Sequence, residues 1–411
     1  MTVLRAWAPL FWSGVLVGLV HTIVDTLGAD PPAAIVYGSG VLLAASAVPV
    51  LIGLVHGLVV ARRAGAEDRA GDPRLAPVAR LVAGRVRGAV AVLIEPERRT
   101  EGSWGTSGTD RPLDPDTRFE IGSVTKTFTA TLLAEMVGRG DVALDDRVAE
   151  YVPGVPATRA GEEVTLVDLA THSGGMPRLP RDLIPRAILQ SPDPYRGFDE
   201  DRLEAAARRT RPRSGLGETA RYSNFGVALL GHALARAAGR GYADLIAERI
   251  LQPLDLRETA VATLDETDPR AARGHDPFGF RVPPWDLAAI APAGGIVSTA
   301  TDMARWLEAQ MRPNSTPLAD AIGMTHEPRV PLQPSAIGRL LRSGLQDSRV
   351  GLAWISTDVE GRGVVWHNGG TGGFGSFIGF GPDSGRGIVV LTNSTHARRL
   401  DEAGLALVSG G

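Results

Sequence analysis

The chain of 411 residues contains no cysteine, which excludes disulfides, thiolate metal sites and cysteine nucleophiles. The same absence leaves the redox compartment open. Lysine is almost absent too: of 43 lysines and arginines, only Lys126 is a lysine. Arginine stays protonated at ordinary pH, whereas a buried or crowded lysine can lose its proton and accept one from a nucleophile. A position that keeps an amine where every other basic site carries a guanidinium is therefore a candidate for proton chemistry, and its neighbours decide whether it is one. A strong excess of either charge is also missing. The formal net charge is −3, and there is no RNP, zinc-finger or Walker-type motif, so nucleic acid is not expected as a partner. His172, His275 and His326 are scattered without an H-E-x-x-H or similar spacing; they read as loop or core histidines, and neither a metal nor a cofactor is expected.

Long apolar runs are confined to the first 60 residues. Segments 7–27 and 33–60 are nearly uncharged, and each is long enough to span about 30 Å of hydrocarbon as a helix. The expected organisation is a two-helix transmembrane anchor over 1–63, a Gly/Pro-broken polar linker over 64–77 and a soluble domain over 78–411, with the lipid bilayer as partner of the two spans. His21 and Asp25 fall near the end of the first span, at its interface. Arg5 before the spans and Arg62 and Arg63 after them, against only Asp30 between, place both ends in the cytoplasm by the positive-inside rule.

The soluble part opens with a strand pattern at 88–94, a turn at 95–98 and a second extended stretch around 103–105, which predicts a hairpin. Helical patterns dominate the middle, for example 125–137 and 224–238. Strand patterns return at 350–355, 363–367, 375–380 and 388–393, and 398–408 closes as a helix. Strands at both ends around a helical middle predict an α+β fold, one antiparallel sheet assembled from the two ends with a helical region beside it.

Three segments carry chemistry. The first is a loop entering a helix at Ser123, where the i, i+3 spacing brings Ser123 Oγ within reach of Lys126 Nζ. Serine is a poor nucleophile until a base takes its proton, and the amide of Ser123 at a helix start is free to face an oxyanion. The second is Tyr222-Ser223-Asn224 at another loop-to-helix boundary. A phenol with a pKa near 10 is a poor base at neutral pH, but adjacent positive charge such as Lys126 would lower it. Read alone, the segment fits equally a tyrosine packed on the core with Asn224 capping its helix. The third is the stretch 366–374, whose glycine density suggests close approach of a substrate to the backbone. Trp285, Asp286 and Trp354 read as packing.

Ser123-Val124-Thr125-Lys126, Tyr222-Ser223-Asn224 and His367-Asn368-Gly369 resemble, in order and separation, the three motifs of the class C β-lactamase family. That family includes D-alanyl-D-alanine carboxypeptidases, D-aminopeptidases and esterases. The stretches 168–177 and 294–303 resemble its supporting segments, and the likeness covers about residues 80–400. It implies a β-lactamase/transpeptidase-like fold and a serine hydrolase acting through an acyl-enzyme on an ester, a D-amino-acid peptide or a β-lactam. Ser123 would be the nucleophile, with Lys126 and Tyr222 sharing general-base and general-acid work. Asn224 would bind the substrate's amide oxygen; His367, Gly369, Gly370 and Thr371 would line the site; the amides of Ser123 and Gly370 would form the oxyanion hole. The third motif departs from the usual Lys-Thr-Gly of β-lactamases, so a fixed charge for a substrate carboxylate is missing there. Members acting on cell-wall peptides work outside the cytoplasm, so the resemblance favours an extracytoplasmic catalytic domain, against the arginine distribution. The competing reading is a non-hydrolytic membrane sensor or scaffold that binds cell-wall peptides or β-lactams.

Overall fold

Strand β1 (Gly88–Glu95) sets the architecture because its apolar run is sorted to two faces. Ala89, Ala91 and Leu93 enter one core, and Val90, Val92 and Ile94 enter another. Successive strand residues point to opposite sides of a sheet, so a run apolar on both parities requires cover on both faces. The computed structural model describes residues 72–84, 86–184, 193–277, 279–333, 348–395 and 397–410. Segments 7–27 and 33–60, expected to span a membrane, lie outside the described residues. Among the described residues no helix is long and apolar enough to cross one.

β1 pairs antiparallel with β2 (Arg98–Gly105) through the tight turn at Pro96 and Glu97, and on its other side with β11 (Arg386–Thr392). The sheet continues through β10 (Gly375–Gly381), β9 (Arg362–Gly370), β8 (Ile355–Val359), β7 (Arg349–Val350) and β6 (Val330–Pro331), in the order β2-β1-β11-β10-β9-β8-β7-β6. Both ends of the domain thus meet in one antiparallel sheet, as the strand pattern predicted. A separate three-stranded sheet has the order β3-β5-β4, with β3 at Arg118–Glu120, β4 at Ala260–Val261 and β5 at Ile296–Thr299.

Helices cover both faces of the large sheet, where one helical region had been expected. On one face lie α1 (Ala76–Gly84) and α8 (Ala397–Ser409), with Leu75, Val78, Leu400 and Leu407 packed on Phe377, Ile388 and Val390. The other face meets the helical middle: α2 (Thr125–Arg139), α3 (Leu166–Ala170), α4 (Glu200–Arg209), α5 (Asn224–Ala238), α6 (Ala300–Met311) and α7 (Ala319–His326). Phe128 of α2 stacks on Trp306 of α6 at 3.9 Å between ring centroids, near the centre of this core.

Two sequence expectations change. The linker expected over 64–77 is helical from Pro73, because Asp72 accepts the Arg74 N–H as an N-cap and ion-pairs with its guanidinium. The strand expected over 350–355 is broken between β7 and β8. Ala353 takes φ +64 and donates its N–H to the Ala170 carbonyl at the end of α3, which turns the chain out of the ladder.

Candidate active site

The turn that carries Ser123 is shaped by backbone contacts on both sides. The Ile121 amide donates to Ile296 O of β5, and the Ile121 carbonyl accepts the Ser376 hydroxyl of β10 at 2.7 Å. Gly122 then takes φ +51, and a Cβ there would lie 2.6 Å from the Gly370 amide nitrogen, so no larger residue fits. A 3₁₀ turn over Gly122–Val124 leads directly into α2. Gly369 of β9 faces the same turn: a Cβ would stand 2.1 Å from Ile121 O and 3.0 Å from the Ser123 nitrogen. The glycines of the third motif are therefore explained first by a backbone passing against them, a contact the sequence reading had given to substrate. Gly369→Ala is expected to cost about 1–3 kcal/mol by overpacking and to displace Ser123. Lower thermal midpoint together with lost turnover checks this, and unchanged turnover contradicts it.

Helix α2 brings Lys126 one turn on from Ser123. Lys126 is fully buried; its Nζ lies 2.9 Å from Ser123 Oγ and donates to Ala293 O at 2.6 Å. Burial, and secondarily the charge of Arg178, hold the amine well below the usual lysine range. The partly exposed Ser123 therefore has beside its hydroxyl an amine that gives up its proton far more readily than an ordinary lysine.

Helix α5 starts with Ser223 as N-cap, its hydroxyl accepting the Gly226 N–H at 2.8 Å, so the capping expected of Asn224 belongs to its neighbour. Asn224 is left free to turn its amide into the cleft beside Tyr195, and its Oδ1 has no partner among the described residues. Tyr222 lies close enough to Ser123 to be influenced by its hydroxyl, and Lys126 Nζ sits 4.8 Å from the centroid of its ring. Burial raises the Tyr222 phenol above its ordinary value, outweighing the Ser123 hydrogen bond and the Arg178 charge. This reverses the lowering expected from Lys126, because burial disfavours the phenolate by more than the nearby positive charge favours it.

His367 is fully buried, and burial, then the Lys126 charge, push it down to about 3. Its Nδ1 lies 2.6 Å from the Asn368 carbonyl, which can only accept, so Nδ1 carries the proton of a neutral ring. Gly370 ends β9, beyond the last β8 pairing at Ile355 and Trp366. The Thr371 N–H donates to Phe374 O across the hairpin, so by antiparallel alternation the Gly370 N–H points away from β10. That side is open, and the Gly370 nitrogen lies against Gly122, next to the nucleophile turn.

The cleft is lined by Ser123, Asn224, Gly370 and Thr371, together with Tyr195 and Trp285. Of the sequence candidates, His367 and Gly369 lie behind this lining, His367 in the core and Gly369 against the turn. Trp285, read as packing, instead faces the cleft with Tyr195 edge-on at 5.1 Å; Trp354 packs in the core against His326 and Phe380 as expected. His172 is buried at φ +61, accepts the Ser223 N–H on Nδ1 at 3.3 Å and lies 4.6 Å from the Tyr222 ring. It thus holds the second motif in place. His275 is buried among backbone partners and His326 is half-buried, so both are loop or core groups. Among the described residues no three metal-capable side chains cluster.

Glu120, missed in the sequence, is a further titratable group beside the site. It is 4% exposed, accepts the Trp285 N–H at 2.8 Å and lies beside Thr371; burial pushes it up to about 7. The only sequence signal was a lone acid between Phe119 and Ile121. A raised carboxyl means that the folded chain binds more protons than the unfolded one between about pH 4.5 and 7. Stability therefore falls as pH rises through that window, by about 3 kcal/mol. Glu120→Gln is expected to flatten this slope in denaturant titrations at several pH values, and an unchanged slope contradicts it.

A family model described as Beta-lactamase matches residues 71–409. The chain belongs to the β-lactamase family. It is a serine hydrolase of that family, as the resemblance implied. It is 31% identical over 327 residues to the D-alanyl-D-alanine-carboxypeptidase/endopeptidase AmpH of Escherichia coli (strain K12), covering 76% of this chain and 80% of that protein. To a β-lactamase of Pseudomonas fluorescens it is 26% identical over 319 residues, with 72% and 85% covered. A class C β-lactamase structure from Rhodobacter sphaeroides superposes with TM-score 0.67 at 25% identity, covering 82% of this chain and 99% of that one.

Proposed function

We propose that the chain hydrolyses D-amino-acid peptides and esters through an acyl-enzyme on Ser123, with β-lactams as slow substrates. The observation that carries the mechanism is the fully buried Lys126 amine 2.9 Å from Ser123 Oγ. As Oγ bonds to the carbonyl carbon, Nζ takes its proton. The oxyanion develops toward the amides of Ser123 and Gly370, each donor contributing about 3 kcal/mol in comparable hydrolases. Collapse breaks the bond to the amine or alkoxide. The leaving group takes a proton from the Tyr222 phenol, which the Lys126 ammonium replenishes. Water then attacks the acyl carbon, gives its proton back along the same route, and Ser123 departs as the hydroxyl.

Two observations support the substrate choice. The neutral, buried His367 leaves β9 without the fixed cation that a lysine would hold there. The relative AmpH is named for carboxypeptidase and endopeptidase activity. The test is turnover by the full chain of a peptide ending in D-alanyl-D-alanine, a p-nitrophenyl ester and a chromogenic cephalosporin. Faster release from the first two supports the assignment, and a cephalosporin turned over faster than either overturns it.

A further inference from the structure

Replacing a lysine by a neutral histidine removes a cation from the strand, yet a positive charge stands over the second motif. Arg178 lies in the loop after α3, with its guanidinium carbon 5.3 Å from the centroid of the Tyr222 ring. Its backbone is pinned to the second motif: the Arg178 carbonyl accepts the N–H groups of Asn224 at 3.0 Å and Phe225 at 3.3 Å. The preceding Pro177 carbonyl accepts the Ser223 hydroxyl at 2.7 Å. The first turn of α5 thus fixes where the side chain starts, while the side chain itself is exposed.

The guanidinium forms no ion pair with a carboxylate among the described residues, although many surface arginines of this chain do. Its charge is felt by Lys126, His172, Tyr195 and Tyr222, the groups that surround Ser123. An unneutralised charge there works against protonated Lys126. An anionic substrate group would neutralise it, and a planar guanidinium binds a carboxylate through two parallel hydrogen bonds. The contact with the Tyr222 ring holds the guanidinium beside the second motif.

We infer that Arg178 is the specificity-determining anchor of the substrate, binding a carboxylate on the peptide or ester while Ser123 attacks the scissile carbonyl. The inference rests on the acyl-enzyme reading above. It moves the anionic subsite from β9 to the loop over Tyr222. A flexible peptide or ester can swing its carboxylate to this position, whereas a β-lactam holds its carboxylate rigidly next to the scissile bond.

The test compares kcat/KM for a carboxylate-bearing ester and for its methyl-capped neutral analogue in the full chain, with Arg178→Gln, Arg178→Lys and Arg178→Glu. In Arg178→Gln the preference for the charged ester is expected to fall about tenfold or more, mainly through KM, as for loss of a charge-assisted hydrogen bond. Arg178→Lys restores part of it, and Arg178→Glu reverses it. Equal losses on both esters, accompanied by a shifted pH profile, would show that Arg178 only tunes Lys126 and Tyr222 and would overturn the inference. An unchanged preference overturns it as well. Ser123→Ala, run on the same two esters, separates the two levels: turnover surviving there sinks the acyl-enzyme reading itself, whatever Arg178 does.

Discussion

Ser123→Ala is expected to lower kcat/KM on peptide and ester by about 10⁶-fold, the scale seen when the nucleophile of a preorganised serine hydrolase is removed. The alanine leaves Lys126 and Tyr222 in place, and with them the amides of Ser123 and Gly370, so a residue of catalysis from binding and oxyanion donors remains. Folding is expected to be retained, because Ser123 is partly exposed and, among the described residues, its hydroxyl contacts are with the catalytic partners Lys126 and Tyr222. Steady-state kinetics beside a thermal melt checks both halves. Activity within a hundredfold of the unsubstituted chain contradicts the assignment.

Lys126→Arg is expected to be nearly as severe, with a loss of at least about 10³-fold, within the range attributed to a positioned base and increased because base and nucleophile act as a unit. The lysine is buried, no carboxylate pairs with it among the described residues, and burial and Arg178 hold its amine well below the usual lysine range. A guanidinium cannot give up its charge, so it would neither accept the Ser123 proton nor tolerate the site. The same variant is therefore expected to lose several kcal/mol of stability, as for an uncompensated buried charge. Lys126→Met separates the effects: turnover falls as far, while stability is retained. In the unsubstituted chain, kcat/KM is expected to fall as pH drops through the lowered Lys126 value, because protonation removes the base. Tyr222 stays protonated through the neutral range, so no basic limb arises from it below its ordinary value near 10. A rate that rises on acidification from pH 7 contradicts the neutral-amine base.

Local signals were enough to place what depends on local order. The span of α5, its glycine stop at Gly239, the strands at both ends and the closing helix α8 follow from periodicity and caps that lie in the chain itself. Ser123 and Lys126 were legible for the same reason, one helical turn apart with no long-range information required. Charge states were not legible. Tyr222 was expected to be lowered and is raised, because the sign depends on burial that only the packed α2, α5 and β9 create. The glycines at 369 and 370 signalled a close approach correctly but not what approaches, which is the backbone of Ile121 to Ser123. Trp285 and Tyr195, far from every motif in sequence, reach the cleft through loops whose course no periodicity encodes. Glu120 and Arg178 sit within or beside motifs, yet their significance lies in the burial of one and the contact of the other with the Tyr222 ring, visible only in three dimensions.

The most direct test of a serine nucleophile activated by the lone lysine is covalent trapping of the full chain with a fluorophosphonate and, separately, a fluorescent penicillin, read by intact mass and peptide mapping. One adduct per chain, on the peptide carrying Ser123, absent from Ser123→Ala and strongly slowed in Lys126→Met, is the expected result. An adduct mapped to any other residue, or one that survives Ser123→Ala, contradicts it.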